Sequence, residues 1–237
     1  MLLFVMTALL QVKASCTKSN NNRMPGQSSD LIPPVDTLKT YLALGDSYTI
    51  GESIDISGRY PVQAIAALKK EGIAFADPEI IATTGWTTAD LLHAISKKST
   101  TPAYDIVTLL IGVNNQYQGR SVAEYTTQFT SLLHQSIAFA GNRPSHVIVI
   151  SIPDYAVTPF GESTGNAASI SVQVDAFNAI NKQVSLSCHV NYVDITSESR
   201  KAAADPTLVA HDGLHYAAKE YGVWAALIVQ QIENILK

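Results

Sequence analysis

The chain has 237 residues, 46% of them apolar and 15% charged, with a formal net charge of −4. That length and apolar content suit one packed domain and exclude a disordered, collagen-like or low-complexity chain. The mild acidity offers no clustered Lys/Arg surface for nucleic acid, and 2 cysteines exclude a disulfide-dense scaffold or a four-thiolate zinc site.

In chain order, the first element is an apolar run from Met1 to Leu10, broken only by Thr7. It has the length of a signal-peptide core and is too short for a membrane span. Residues 1–15 are therefore expected to be a signal peptide, although no Lys or Arg precedes the run. Residues 16–36, rich in Ser, Asn, Gln and Pro, read as a flexible polar tether, and residues 37–237 as a single domain. Two cleavage readings stay open. Val12-Lys13-Ala14 fits ordinary cleavage after Ala14, whereas Ala14-Ser15-Cys16 resembles the end of a bacterial lipoprotein box, with Lys13 where an aliphatic residue is usual. Both expect export: to the periplasm, to the outer membrane as a lipoprotein tethered through a lipidated Cys16, or to the medium.

From residue 40 onward, short continuous apolar runs alternate with helical periodicity. Strands are predicted at 40–45, 79–83, 104–111, 146–152 and 192–195, and helices at 60–70, 87–98, 121–139, 169–186 and 217–236. Strands that are apolar throughout are those with both faces covered, so the alternation predicts a parallel α/β sheet. The long segment 153–168 is expected to be a loop forming a wall or lid. In a doubly wound sheet of order 2-1-3-4-5, ligands bind beyond the strand carboxyl ends, where the order reverses between the first and third strands. That rule brings together Gly45-Asp46-Ser47-Tyr48 and Gly112-Val113-Asn114-Asn115, which are far apart in the chain.

Ser47 alone reads as a helix cap. As a nucleophile it needs a base to take its proton. His215, in His211-Asp212-Gly213-Leu214-His215, is the best candidate, and Asp212 is spaced to reach its Nδ1 and hold one tautomer. An oxyanion needs donors in place before the reaction begins. The backbone N–H groups of Ser47 and Gly85 and the side-chain amide of Asn114 are candidates. Singly, Gly85 is a turn glycine and Asn114 a loop residue; as a set they compose nucleophile, base, orienter and oxyanion donors on one sheet edge.

These blocks resemble the GDSL, or SGNH, hydrolase family. Gly45-Asp46-Ser47-Tyr48 is similar to its first block, Gly85 in Thr84-Gly85-Trp86-Thr87-Thr88 to its second, Gly112-Val113-Asn114-Asn115 to its third and Asp212-Gly213-Leu214-His215 to its last. The resemblance implies Ser47 as nucleophile, Asp212 and His215 as its partners, and Ser47, Gly85 and Asn114 as the oxyanion hole. It also implies a flavodoxin-like three-layer α/β/α fold with a five-stranded parallel sheet, and hydrolysis of esters or thioesters with no metal or organic cofactor. Tyr48 stands where the family has Leu, which should alter packing rather than chemistry. Asn115 stands where Asp is usual, which puts a charge-based role there in doubt.

Other readings remain. His211, Asp212 and His215 are metal-ligand types, but no further Cys or carboxylate completes a set. The fold could carry a non-catalytic surface binding protein, or the same site an acyl transferase, thioesterase or lysophospholipase. Candidate substrate-binding residues are Trp86, Val113, Tyr117, Tyr155 and Phe160. A shallow site without an apolar insertion suits a small-molecule or glycan ester with a short acyl group, acetyl on a carbohydrate included.

Overall fold

The computed structural model describes residues 38–237. The expected signal peptide, the tether and Cys16 lie outside the described residues. The strands are β1 (Tyr41–Gly45), β2 (Glu79–Ala82), β3 (Ile106–Leu110), β4 (Val147–Ile150) and β5 (Asn191–Val193). They form one parallel sheet in the order β2-β1-β3-β4-β5, as the sequence predicted. The register pairs Gly45 with Ala82 on one side and with Leu110 on the other, so β1, β2 and β3 end level. The three central strands β1, β3 and β4 are buried throughout. The edge strands β2 and β5 are only partly covered.

The longer helices are α2 (Tyr60–Lys70), α3 (Thr88–Ile95), α5 (Val122–Phe139), α7 (Ala167–Ser187) and α9 (Ala218–Leu236), with short α1 (Ser47–Ile50), α4 (Val113–Tyr117), α6 (Pro159–Ser163) and α8 (Thr196–Ser199). Among the described residues no helix is long and apolar enough to cross a membrane. α2 packs on α9, while α5 packs on both α3 and α7. Right-handed crossovers put these two groups on opposite sheet faces and give three layers. α2 and α9 are joined by the stacked rings of Tyr60 and Tyr221, with centroids 6.4 Å apart.

Most element ends shift by one or two residues from the sequence reading, and two differences are larger. α3 stops at Ile95 rather than running to Lys98. The Ser96 hydroxyl takes the His93 carbonyl at 2.8 Å, and such local bonding competes with helix propagation. The segment 153–168 is not an irregular loop. It holds a 3₁₀ turn (Tyr155–Val157) and α6, each opened by a side-chain cap, from Asp154 and Thr158 respectively. The segment is also pinned: buried Asp154 accepts from Ser171 Oγ at 2.6 Å and from Arg200 Nε at 2.8 Å.

Gly45 closes β1 where the chain turns directly into α1. A Cβ there would sit 2.4 Å from the Leu110 carbonyl oxygen and 2.0 Å from Thr49 Oγ1. Only glycine allows this approach of the β1 end to β3, which brings the following residues to the switch point.

Candidate active site

Asp46 and Ser47 occupy the turn between β1 and α1. Asp46 is fully buried and caps α1, accepting the Tyr48 N–H at 3.0 Å through Oδ1. Its Oδ2 has no partner among the described residues. Desolvation by burial lifts this carboxyl to about 7, against the backbone N–H groups of Tyr48, Asp46 and Gly112, which pull it down. Between its ordinary value of 3.8 and about 7, the folded chain holds a proton that the unfolded chain has lost. Stability from this group is therefore present at the acid end of that window and falls as pH rises through it. Asp46→Asn imitates the protonated form and keeps an oxygen to cap α1. Its Tm is expected to gain on the parent as pH rises from about 5 to 8, by roughly 5 °C in scanning calorimetry. A gap independent of pH would show that Asp46 does not titrate there.

Ser47 is the first residue of α1 and only 4% exposed. Its backbone N–H is one of the donors a helix start leaves without an intrahelical acceptor. Neighbouring Tyr48 is buried, and its ring meets the His215 ring edge-on at 5.4 Å between centroids. The aromatic residue at this position thus packs against the imidazole.

Asp212 and His215 lie in the loop before α9, 211–217. Asp212 Oδ2 accepts from His215 Nδ1 at 2.6 Å, and Oδ1 accepts the backbone N–H groups of Leu214 and His215, each at 2.9 Å. The Ser53 hydroxyl also donates to Oδ2, at 2.7 Å. Desolvation pushes the carboxyl upward, but the bonds from Ser53, His215 and the two N–H groups outweigh it and hold Asp212 well below the usual carboxylate range. The group is an anion across the neutral range. With Nδ1 directed to a carboxylate, Nε2 of a neutral imidazole is left as the acceptor. His215 is 7% exposed and shares the wall of one cavity with Ser47. No hydrogen bond joins the two side chains among the described residues, and a base that waits for substrate need not make one beforehand.

Gly85 and Asn114 lie on the same wall. Gly85 follows β2 with φ +82°, a conformation that favours glycine, and a Cβ there would meet open space. Asn114, in α4, donates one Nδ2 hydrogen to the Trp86 carbonyl at 2.9 Å, which leaves the other free to face the cavity. Buried Asn115 locks the same two segments together. Its Oδ1 accepts the Thr88 N–H at 2.9 Å and its Nδ2 donates to the Thr88 hydroxyl at 2.7 Å. A neutral amide does at this position what a carboxylate could not: it both donates and accepts.

The cavity has a volume of about 280 Å³, and its wall includes Val113, Tyr117, Tyr155, Phe160 and Leu214. Tyr117, Tyr155 and Phe160 stand with ring centroids 6.2–6.3 Å apart, and Tyr117 is 60% exposed at the mouth. Trp86 does not line the cavity; its side chain lies half-buried against the core, and its carbonyl orients Asn114. The Phe160 N–H donates to the Gly213 carbonyl at 2.9 Å, so α6 is bonded to the Asp212–His215 loop and both contribute to the cavity wall. His211 points to a separate open depression with Ser53, Asp55 and Ser57. Among the described residues no three His, Cys, Asp or Glu side chains are grouped to hold a metal ion. Sequence reasoning missed Ser53, Leu214 and the locking role of Asn115; of these, only Asn115 carried a signal, its place beside Asn114.

A family model described as GDSL-like Lipase/Acylhydrolase matches residues 43–222. Comparison with curated protein sequences returns no match. Among solved structures, the chain is similar to a lipase/acylhydrolase from Enterococcus faecalis, with TM-score 0.65 and 20% identity over 83% of this chain and 96% of that one. It is similar to TesA at TM-score 0.66 and 16% identity, over 83% of this chain and 99% of that one. It is also similar to Axe2, an acetylxylan esterase from Geobacillus stearothermophilus, at TM-score 0.63 and 16% identity, over 82% and 94%. Likeness at these identities is a likeness of fold.

Proposed function

The chain belongs to the GDSL-like lipase/acylhydrolase family and is an ester hydrolase of that type, and we propose that it acts as an exported serine esterase on short acyl groups, acetyl on a carbohydrate foremost. The observation that carries this reading is the 2.6 Å bond from His215 Nδ1 to Asp212, with Ser47 on the wall of the cavity that His215 faces. In the proposed mechanism His215 Nε2 removes the Ser47 proton as Oγ attacks the ester carbonyl. The backbone N–H groups of Ser47 and Gly85 and the Asn114 amide hold the oxyanion. The imidazolium, stabilised by Asp212, gives its proton to the leaving alcohol. Water then attacks the acyl-Ser47 by the same path, releasing the acid and restoring the hydroxyl.

The cavity supports the reading of a short acyl group. A volume of about 280 Å³ bounded by Val113, Tyr155, Phe160 and Leu214 suits a short acyl group. The exposed ring of Tyr117 at its mouth suits the apolar face of a sugar. The apolar run at 1–10 supports export.

The test is a series of p-nitrophenyl esters from acetyl to dodecanoyl, run beside acetylated glycans and with Ser47→Ala as control. Acetyl and butyryl esters are expected to be cleaved fastest, with acetate released from the glycan. A preference for dodecanoyl would replace this reading with a lysophospholipase. Faster turnover of thioesters would make the protein a thioesterase. Acyl products formed on an added alcohol would make it a transferase. A folded protein that cleaves no ester of this series and releases no acetate from the glycans would overturn the short-acyl reading.

A further inference from the structure

Ser53 sits in the turn after α1, and its backbone takes φ +66°, a left-handed conformation that a residue with a Cβ rarely adopts. Its hydroxyl reaches across 159 positions of chain to donate to Asp212 Oδ2 at 2.7 Å. An uncommon backbone at a residue whose side chain touches the acid–base pair is where function is to be sought.

The other donors to this carboxylate come from its own loop. Leu214 N–H, His215 N–H and His215 Nδ1 all lie within residues 212–215 and move with it. Ser53 is the one donor to Asp212 from outside that loop among the described residues. It belongs to the segment that carries Ser47, because the N–H of its neighbour Glu52 bonds the Ser47 carbonyl at 3.0 Å. The Glu52 carboxylate in turn accepts the hydroxyl of Thr84, the residue before Gly85. Two consecutive residues thus tie the Ser47 turn to the Gly85 turn on one side and to Asp212 on the other.

We propose that Ser53 is a positioning residue, which fixes the Asp212–His215 pair relative to Ser47 by holding Asp212 Oδ2 from the nucleophile's own segment. A quarter of the Asp212 side chain is exposed, so without the hydroxyl water would take its place and the carboxylate would be free to turn. The imidazole would then lose its alignment at the moment it must accept a proton. The Ser53 proton is not transferred; the hydroxyl donates throughout the reaction.

The inference rests on the acid–base role proposed above, and its test separates the two. Ser53→Gly removes the hydroxyl but suits the left-handed backbone, so it is expected to melt at or above the parent's Tm. Ser53→Ala removes the hydroxyl and keeps the Cβ. Both are expected to lose about tenfold in kcat on an acetyl ester with KM within about twofold, the signature of a misaligned reacting group rather than weakened binding. The low-field proton resonance of the His215 Nδ1–Asp212 bond is expected to shift or broaden in both. Parental kcat and an unmoved resonance in Ser53→Gly would overturn the proposal, as would a loss in Ser53→Ala that Ser53→Gly restores. The resonance reports the bond whatever its role. If it responds to Ser53 while His215→Ala retains turnover, the mechanism fails and the positioning contact stands.

Discussion

Ser47→Ala and His215→Ala are each expected to lower kcat by about 10⁴-fold or more, and the double variant hardly further. The physical reason is that neither group does anything useful alone. A serine hydroxyl holds its proton near neutral pH and attacks a carbonyl poorly unless a base accepts that proton as the bond forms. An imidazole without the hydroxyl has no positioned nucleophile to deprotonate at the ester carbonyl. Either removal therefore leaves the same residue of catalysis, supplied by oxyanion donors and substrate binding. The geometry supports the proposed pairing. Asp212 binds Nδ1, which directs the basic Nε2 away from the loop, and the cavity faced by His215 is the one faced by Ser47. Steady-state kinetics on an acetyl ester, with far-ultraviolet circular dichroism to show that each variant is folded, reads the result. Additive losses in the double variant would mean that His215 and Ser47 do not act together.

Asn114→Ala is expected to lower kcat by about 10²–10³ with KM nearly unchanged, the usual cost of losing one oxyanion donor. One Nδ2 hydrogen of Asn114 is held by the Trp86 carbonyl at 2.9 Å, so the amide plane is set before substrate arrives. Asn114 lies on the cavity wall, and in the proposed hole its remaining hydrogen would strengthen its bond only as the carbonyl oxygen becomes an oxyanion. That is why the loss should appear in kcat. The Trp86 carbonyl lies on the segment that carries Gly85, so a single contact orients both donors. Retention of near-parental kcat by a folded Asn114→Ala would remove Asn114 from the hole.

Much of this was readable without coordinates. β1, β3 and β4 are continuous apolar runs because both faces are covered, and helices between parallel strands leave few workable strand orders. The site blocks were legible because each lies at a strand end or in the last loop, where the chain must turn and where Gly, Asp, Ser and Asn carry strong local meaning. Other features were not. The segment 153–168 has the Gly, Ser, Thr and Pro content of a loop, yet Asp154 and Thr158 cap short turns there and Arg200 anchors it from afar. Trp86 reads as an aromatic wall by composition, but its side chain turns to the core and its backbone does the work at the site.

Residue order alone sets which chemical groups are available and at which ends of which elements they stand. These are consequences of residue type, apolar periodicity and turn preference, all of them local in the chain. How those groups hold one another emerges from the packed fold. The hydroxyl of Ser53 on Asp212, the amide of Asn115 spanning to Thr88 and the Phe160 N–H on the Gly213 carbonyl each join segments far apart in sequence. A hydrogen bond depends on distances of a few tenths of an ångström. Such distances are set by how the layers pack against the sheet, and no spacing along the chain encodes them.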